Sequence, residues 1–143
     1  MSSIFDGQTA KLCIDEILTG KYSVCHTNKE QAPWLALDFG ARVTVEKVVI
    51  HNRHDGSWTR LKNAEIRVAD QLPPPSGQLM FSGGQLLGTF KGPGEKGEVV
   101  SRTSITGLVG RYVIVQIDNS PGTEFLNLNE VTVWGKTPGI LHT

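Results

Sequence analysis

Apolar residues along this chain fall in short alternating runs between turn residues, without helical spacing, and the pattern predicts an all-β protein. WLALDF (34–39) reads as a strand, GAR breaks it, and VTVEKVVIHN (43–52) reads as the next. NAEIRVA (63–69) alternates strictly: Ala64, Ile66 and Val68 share one face, and Glu65 and Arg67 the other. QLPPPSGQ (71–78) is a surface loop, because three prolines lack ladder donors. QLLGTF (85–90) and EVVSRTSI (98–105) read as two strands with a hairpin-like turn, KGPGEKG (91–97), between them. GRYVIVQI (110–117) is the strongest strand. In EFLNLNEVTVWG (124–135), apolar parity changes from Leu126 and Leu128 to Val131 and Val133, which predicts a bulge near Asn129 and Glu130. Only KLCIDEIL (11–18) could pass for a helix. Short strands without βα alternation imply a β-sandwich or jelly roll. Trp34 and Trp134, which open and close strands, are expected to be structural, and Arg111 is expected on the surface.

Length and charge narrow the classes. A chain of 143 residues is long enough for one domain with a sizeable core, and its formal net charge of zero removes a broad electrostatic footprint for nucleic acid or anionic membrane. No leader pattern opens it and no long apolar run predicts membrane insertion. Cys13 and Cys25 could form one bridge or none.

The polar residues concentrate in HNRHDGSWTRL (51–61). No serine stands in a nucleophile elbow, and the carboxylates are scattered singly, so catalysis is not indicated. A metal site from His26, His51 and His54 lacks the helical spacing such sites use. A neutral polyol suits the cluster better. Arginine offers a rigid fork of donors to adjacent hydroxyls, and histidine adds a donor or acceptor. Asp55, between Arg53 and Arg60, is positioned to hold both guanidinium groups, and Trp58 could cover an apolar patch of ligand. A solvated loop of self-paired charges would look similar locally.

From about residue 3 to Gly135 the sequence resembles the F-type lectins, fucose-binding lectins of the discoidin or coagulation factor 5/8 C-type superfamily. The general elements are CID (13–15), PWLALDFG (33–40), VTVEKVVIHNR (43–53), NAEIRV (63–68), GRYVIV (110–115) and LNEVTVWG (128–135). The narrower signal is a His, a spacer, then R-x-D-x4-R, here His26, Arg53, Asp55 and Arg60. The resemblance implies one discoidin-like jelly-roll domain over 1–143, with its core at about 3–135 and a short C-terminal tail. It further implies a shallow pocket in which His26, Arg53 and Arg60 bind an L-fucose-like sugar of glycans or glycoproteins, Asp55 orients the arginines, and Phe5 and Tyr22 wall its C6 methyl. Rival readings are a discoidin-like adhesion module for protein or lipid, and a galactose-type carbohydrate-binding module.

Departures from the family modify these expectations. Gly56-Ser57 stands where many members carry adjacent cysteines, so Trp58 is expected to replace that apolar surface. The calcium loop is shortened to 16–25, leaving Asp15 and Glu130 as acidic ligands for a structural Ca²⁺ that main-chain carbonyls would complete. Asn129 replaces the partner cysteine of Cys25, which points to less reliance on disulfides and to a reducing, cytoplasmic alternative to the secreted location the family implies. MSSIFDG begins where the family's first strand should end, so the exposed edge would be covered by KTPGILHT or another protomer, or the chain is truncated. Weak single sites favour a homo-oligomer.

Overall fold

The computed structural model describes residues 1–16, 24–75 and 79–137. Two long strands organise it. β2 (Trp34–His51) and β5 (Val99–Ile117) pair antiparallel along most of their lengths. Each therefore runs through a place where the sequence pattern had ended a strand: the GAR break at 40–42 and the gap between 98–105 and 110–117. The ladder absorbs them as register shifts, between Asp38 and Val43 and between Val45 and Lys47.

The shifts divide the five-stranded order β4 (Gln85–Phe90), β3 (Ala64–Ala69), β5, β2, β7 (Glu130–Lys136) into two layers. β3 pairs with Tyr112–Ile117 of β5 on one side and with β4 on the other. β7 pairs with the second half of β2, from Thr44 to His51. The inward parity of β2 moves from Leu35 and Val45 to Val48 and Ile50 across the second shift, keeping all four in the core. Ile66, Val68, Val113, Val115, Ile117 and Val131 fill the space between the layers of this β-sandwich.

Several expectations change. β4 and β5 are not a hairpin, because β3 lies between them; Arg102 instead donates from Nε to the Thr89 carbonyl at 2.8 Å. The parity change near Asn129 is a change of sheet. β6 (Asn127–Leu128) pairs with β1 (Cys25–His26) in a two-stranded sheet, after which the chain joins β2 as β7. The helical reading of 11–18 reduces to a 3₁₀ turn, Ala10–Cys13, with 17 and 18 outside the described residues. Cys13 and Cys25 form a disulfide with Cα atoms 5.3 Å apart, so Cys25 finds a partner other than the one Asn129 replaces. This overturns the expectation of a domain less reliant on disulfides. Trp34 is buried, its indole donating to the Pro74 carbonyl at 3.1 Å. Trp134 is 49% exposed with the Lys47 ammonium 5.2 Å from its ring, so it is a surface residue and not a core one.

Candidate functional site

The end of β2 delivers the polar cluster. Val48 and Ile50 point inward, and Asn52 continues that parity, which buries an amide. Burial without partners would cost about 1–3 kcal/mol, and Asn52 avoids it by bonding on every side. Its Nδ2 donates to the carbonyls of Trp58 (2.8 Å) and Glu95 (3.0 Å), and its Oδ1 accepts from the Arg53 amide (3.0 Å). Gly94 permits this approach, since a Cβ there would fall 2.5 Å from the Asn52 Nδ2. The chain beyond Asn52 is thereby fixed from beneath. Gly56 (φ 143°) and Ser57 (φ 53°) then turn it in the left-handed region, and the 3₁₀ turn Trp58–Arg60 returns Arg60 toward Arg53.

His26 arrives on β1. Its amide donates to the Gln8 carbonyl (3.0 Å), and its own carbonyl accepts from the Phe5 amide (2.9 Å), which clasps the N-terminal segment to the strand. The ring is buried, and Nδ1 lies 2.7 Å from the Thr27 carbonyl. A carbonyl only accepts, so Nδ1 carries the proton and the neutral ring leaves Nε2 as an acceptor. Burial lowers the His26 pKa, the Thr27 bond opposes this, and the charges of Arg53 and Arg60 lower it further.

Phe5, Asp6, Gln8, His26, Arg53, Ser57 and Arg60 line one cavity of about 300 Å³. The structure thus brings Phe5, His26, Arg53 and Arg60 together. Asp55 stands beside them as a partner of Arg53 alone: Nε to Oδ1 is 2.8 Å and Nη2 to Oδ2 is 3.0 Å. Partial burial raises the Asp55 pKa, but the Arg53 bonds and charge outweigh it and hold the carboxyl below its ordinary value. The expected clamp on both arginines is replaced by two separate anchors. Arg60 lies 3.7 Å from Glu124, with its guanidinium 4.5 Å from the Phe125 ring centroid. Trp58 is half-buried at the start of the 3₁₀ turn and is not among the lining residues; Ser57 is. Tyr22 lies outside the described residues.

Sequence reasoning missed the residues behind the pocket. Phe125 touches three of its walls: Phe5 at 5.6 Å and His26 at 5.1 Å between ring centroids, and Arg60. Asn127 accepts from Arg53 Nη1 at 2.9 Å. Both were signalled by alternation, since Phe125 and Asn127 take the parity opposite to the buried Leu126 and Leu128. Asp6 and Gln8 carried no comparable signal.

Asp15 and Glu130 lie close enough to interact. Burial raises the Glu130 pKa to about 7, and the charges of Asp15 and Glu16 add to the effect. The nearby main-chain amides of Glu16 and Val131 oppose the rise, and both carboxylate oxygens are buried without a hydrogen bond that meets ordinary geometry. Such a buried, under-satisfied carboxylate fits a hard cation, although no cluster of three or more metal-binding side chains occurs among the described residues.

A two-layer β-sandwich with a polar pocket at one end defines a class that the sequence comparison specifies. Residues 3–120 match the F5/F8 type C family described as NedA-like, galactose-binding domain, and the chain belongs to that family. It is 35% identical over 132 residues to a pentraxin fusion protein of Xenopus laevis, covering 89% of this chain and 29% of that protein, so it spans under a third of that relative's length. Among solved structures, a fucolectin from striped bass (Morone saxatilis) serum superposes with a TM-score of 0.78 at 26% identity, covering 94% of this chain and 44% of the other. The lectin domain of lectinolysin, solved with Lewis B antigen, gives 0.72 at 25% identity, covering 95% and 90%.

Proposed function

We propose that this chain is a non-enzymatic lectin domain that binds terminal L-fucose in the pocket of His26, Arg53 and Arg60. The observation that carries this reading is convergence. Three hydrogen-bonding side chains from β1, the end of β2 and a 3₁₀ turn meet in one cavity, with binding capacity left over. Arg53 uses three of its N–H bonds internally, while Arg60 makes an ion pair but no side-chain hydrogen bond among the described residues. The spare donors and the bare Nε2 of His26 suit a ring oxygen and vicinal hydroxyls, one of them axial. Phe5 offers an apolar wall for the C6 methyl group. The fucolectin and the lectinolysin domain support fucose as the ligand. A galactoside is the second reading, favoured by the family match and by an axial 4-hydroxyl that both sugars share.

The pocket argues against catalysis. Among the described residues, Ser57 has no hydrogen bond to His26, whose Nδ1 is committed to Thr27, and Asp6 is the single carboxylate in the lining. The Cys13–Cys25 disulfide supports a secreted protein acting on glycoproteins outside the cell.

Retention on fucose-agarose, eluted by free L-fucose and not by D-galactose, is the deciding experiment. Elution by galactose alone would establish the second reading, and retention on liposomes indifferent to either sugar would sink both.

Calcium belongs to the same reading. Asp15 and Glu130 would hold it with main-chain carbonyls, and the ion would neutralise a buried carboxylate rather than touch sugar. Added Ca²⁺ should raise the melting temperature, EDTA should reverse the rise, and Glu130→Gln should abolish the response.

A further inference from the structure

A second cavity, of about 540 Å³, opens at the same end of the sandwich. It is larger than the His26 pocket. Asn63, Glu65, Met80, Thr89, Phe90, Lys91, Asp118 and Ser120 account for its chemistry. Two chain segments lead from one cavity to the other. The first runs from Arg60 in the pocket to Asn63 in the cleft, three peptide steps that span at most about 10 Å. The second runs from Asp118 and Ser120 in the cleft to Glu124 and Phe125 behind the pocket. Only this short rim of chain separates the residues that line the two cavities.

The cleft has the composition of a polyol site. Phe90 and Met80 give an apolar floor. Around it, the side chains of Asn63, Thr89 and Lys91 make no hydrogen bond or ion pair among the described residues, so a donor, an amide and a hydroxyl are available together. Other groups there are already committed. Asp118 accepts from the Ser120 amide at 3.1 Å, Ser120 Oγ accepts from Gln31 at 3.0 Å, and Glu65 pairs with Arg67 at 3.5 Å. Asn63 itself sits at φ 48°, held by its amide on the Lys91 carbonyl (2.8 Å) and its carbonyl on the Asp118 amide (2.9 Å). That left-handed backbone joins all three strands' ends at the rim.

We propose that this cleft is a subsite for the neutral sugar residues to which the terminal sugar is attached. With Glu65 offset by Arg67, Asp118 and Lys91 leave the described lining without the net positive charge that sialylated or sulfated extensions would need. The inference rests on the fucose reading of the first pocket, and the test separates the two.

Isothermal titration of the full chain compares methyl α-L-fucoside with neutral fucosylated tetra- and pentasaccharides and with their sialylated forms. The neutral oligosaccharides should bind about 10-fold tighter than the monosaccharide, through added contacts. Lys91→Ala and Asn63→Gly, the latter preserving the backbone conformation, should erase that gain and leave methyl fucoside affinity unchanged. Equal affinity for monosaccharide and neutral oligosaccharides overturns the subsite while the fucose reading stands. Preference for the sialylated forms, or a gain unmoved by both variants, also overturns it. Failure to bind methyl fucoside overturns the reading beneath it.

Discussion

The molecule makes the same arginine–aspartate fork twice. Arg53 grips Asp55 and Arg111 grips Asp38, each through Nε to Oδ1 at 2.8 Å and Nη2 to Oδ2 at 3.0 Å. Their surroundings differ. The side chains of the first pair are 14% and 17% exposed, and those of the second 43% and 47%. Arg53 also donates to Asn127 and faces His26 and Arg60 across a cavity, whereas Arg111 lies over the Tyr112 ring with water beyond. Under the proposed function, identical geometry would serve recognition only where desolvation strengthens each donor and other groups converge on the same space.

Substituting one fork and then the other should separate them most sharply. Arg53→Ala removes two charge-assisted contacts to ligand, roughly 3 kcal/mol, or about a 100-fold loss in affinity. Arg111→Ala should leave affinity unchanged; titration calorimetry reads both. Equal losses would erase the distinction.

Phe125→Leu tests the support behind the pocket. A loss of about 10-fold is expected, with the His26 resonances in an NMR titration moving toward the ordinary histidine pKa as water enters. An unmoved pKa would reduce Phe125 to packing.

Asp55→Asn and Asp38→Asn sharpen the same contrast at the carboxylates. Asp55→Asn leaves Arg53 tethered by Asn127, so a several-fold weakening is expected, roughly 1 kcal/mol, while Asp38→Asn should have no effect on binding.

The pH dependence follows from His26. Its folded pKa lies below its ordinary 6.5, so its contribution to stability is full above that value and is lost as pH falls through the window down to the folded pKa. Protonation also turns Nε2 from acceptor to donor. Sugar affinity should accordingly drop a few-fold on acidification through the same window, and His26→Gln should flatten the profile. The exposed fork has no part in it.

The smallest effect belongs to Trp58→Ala, which should change affinity less than about 3-fold, because Ser57 and not Trp58 lines the cavity. A larger loss would restore Trp58 as a ligand contact.

Much of the site was legible because its signals are local in type though distant in sequence. Arg53, Asp55 and Arg60 announce themselves by spacing, and His26 gains meaning from them. Which acid each arginine would take was not legible. Glu124 stands far along the chain, and the antiparallel pairing of its segment with 27–30, through Glu30 at 2.9 and 3.0 Å and Thr27 with Leu126 at 2.9 Å, carries it beside Arg60. The strands were read correctly in type but cut at 40–42 and between Ile105 and Gly110, since a turn residue that ends a strand and one that bulges it, as Gly107 does, look alike until the partner strand is known. The disulfide stayed open for the same reason: two cysteines imply no pairing until the 3₁₀ turn brings Cys13 against β1.

That disulfide has a bearing on ligand capture. Phe5, Asp6 and Gln8, one wall of the cavity, precede Cys13, and His26 directly follows Cys25. The crosslink therefore ties the wall to the strand that bears the histidine, and the entropy of bringing them together is spent during oxidative folding rather than at the moment of binding. The reduced chain, with every pocket residue intact, would hold this wall by the main-chain bonds of Phe5 and Gln8 to His26 without the covalent tie.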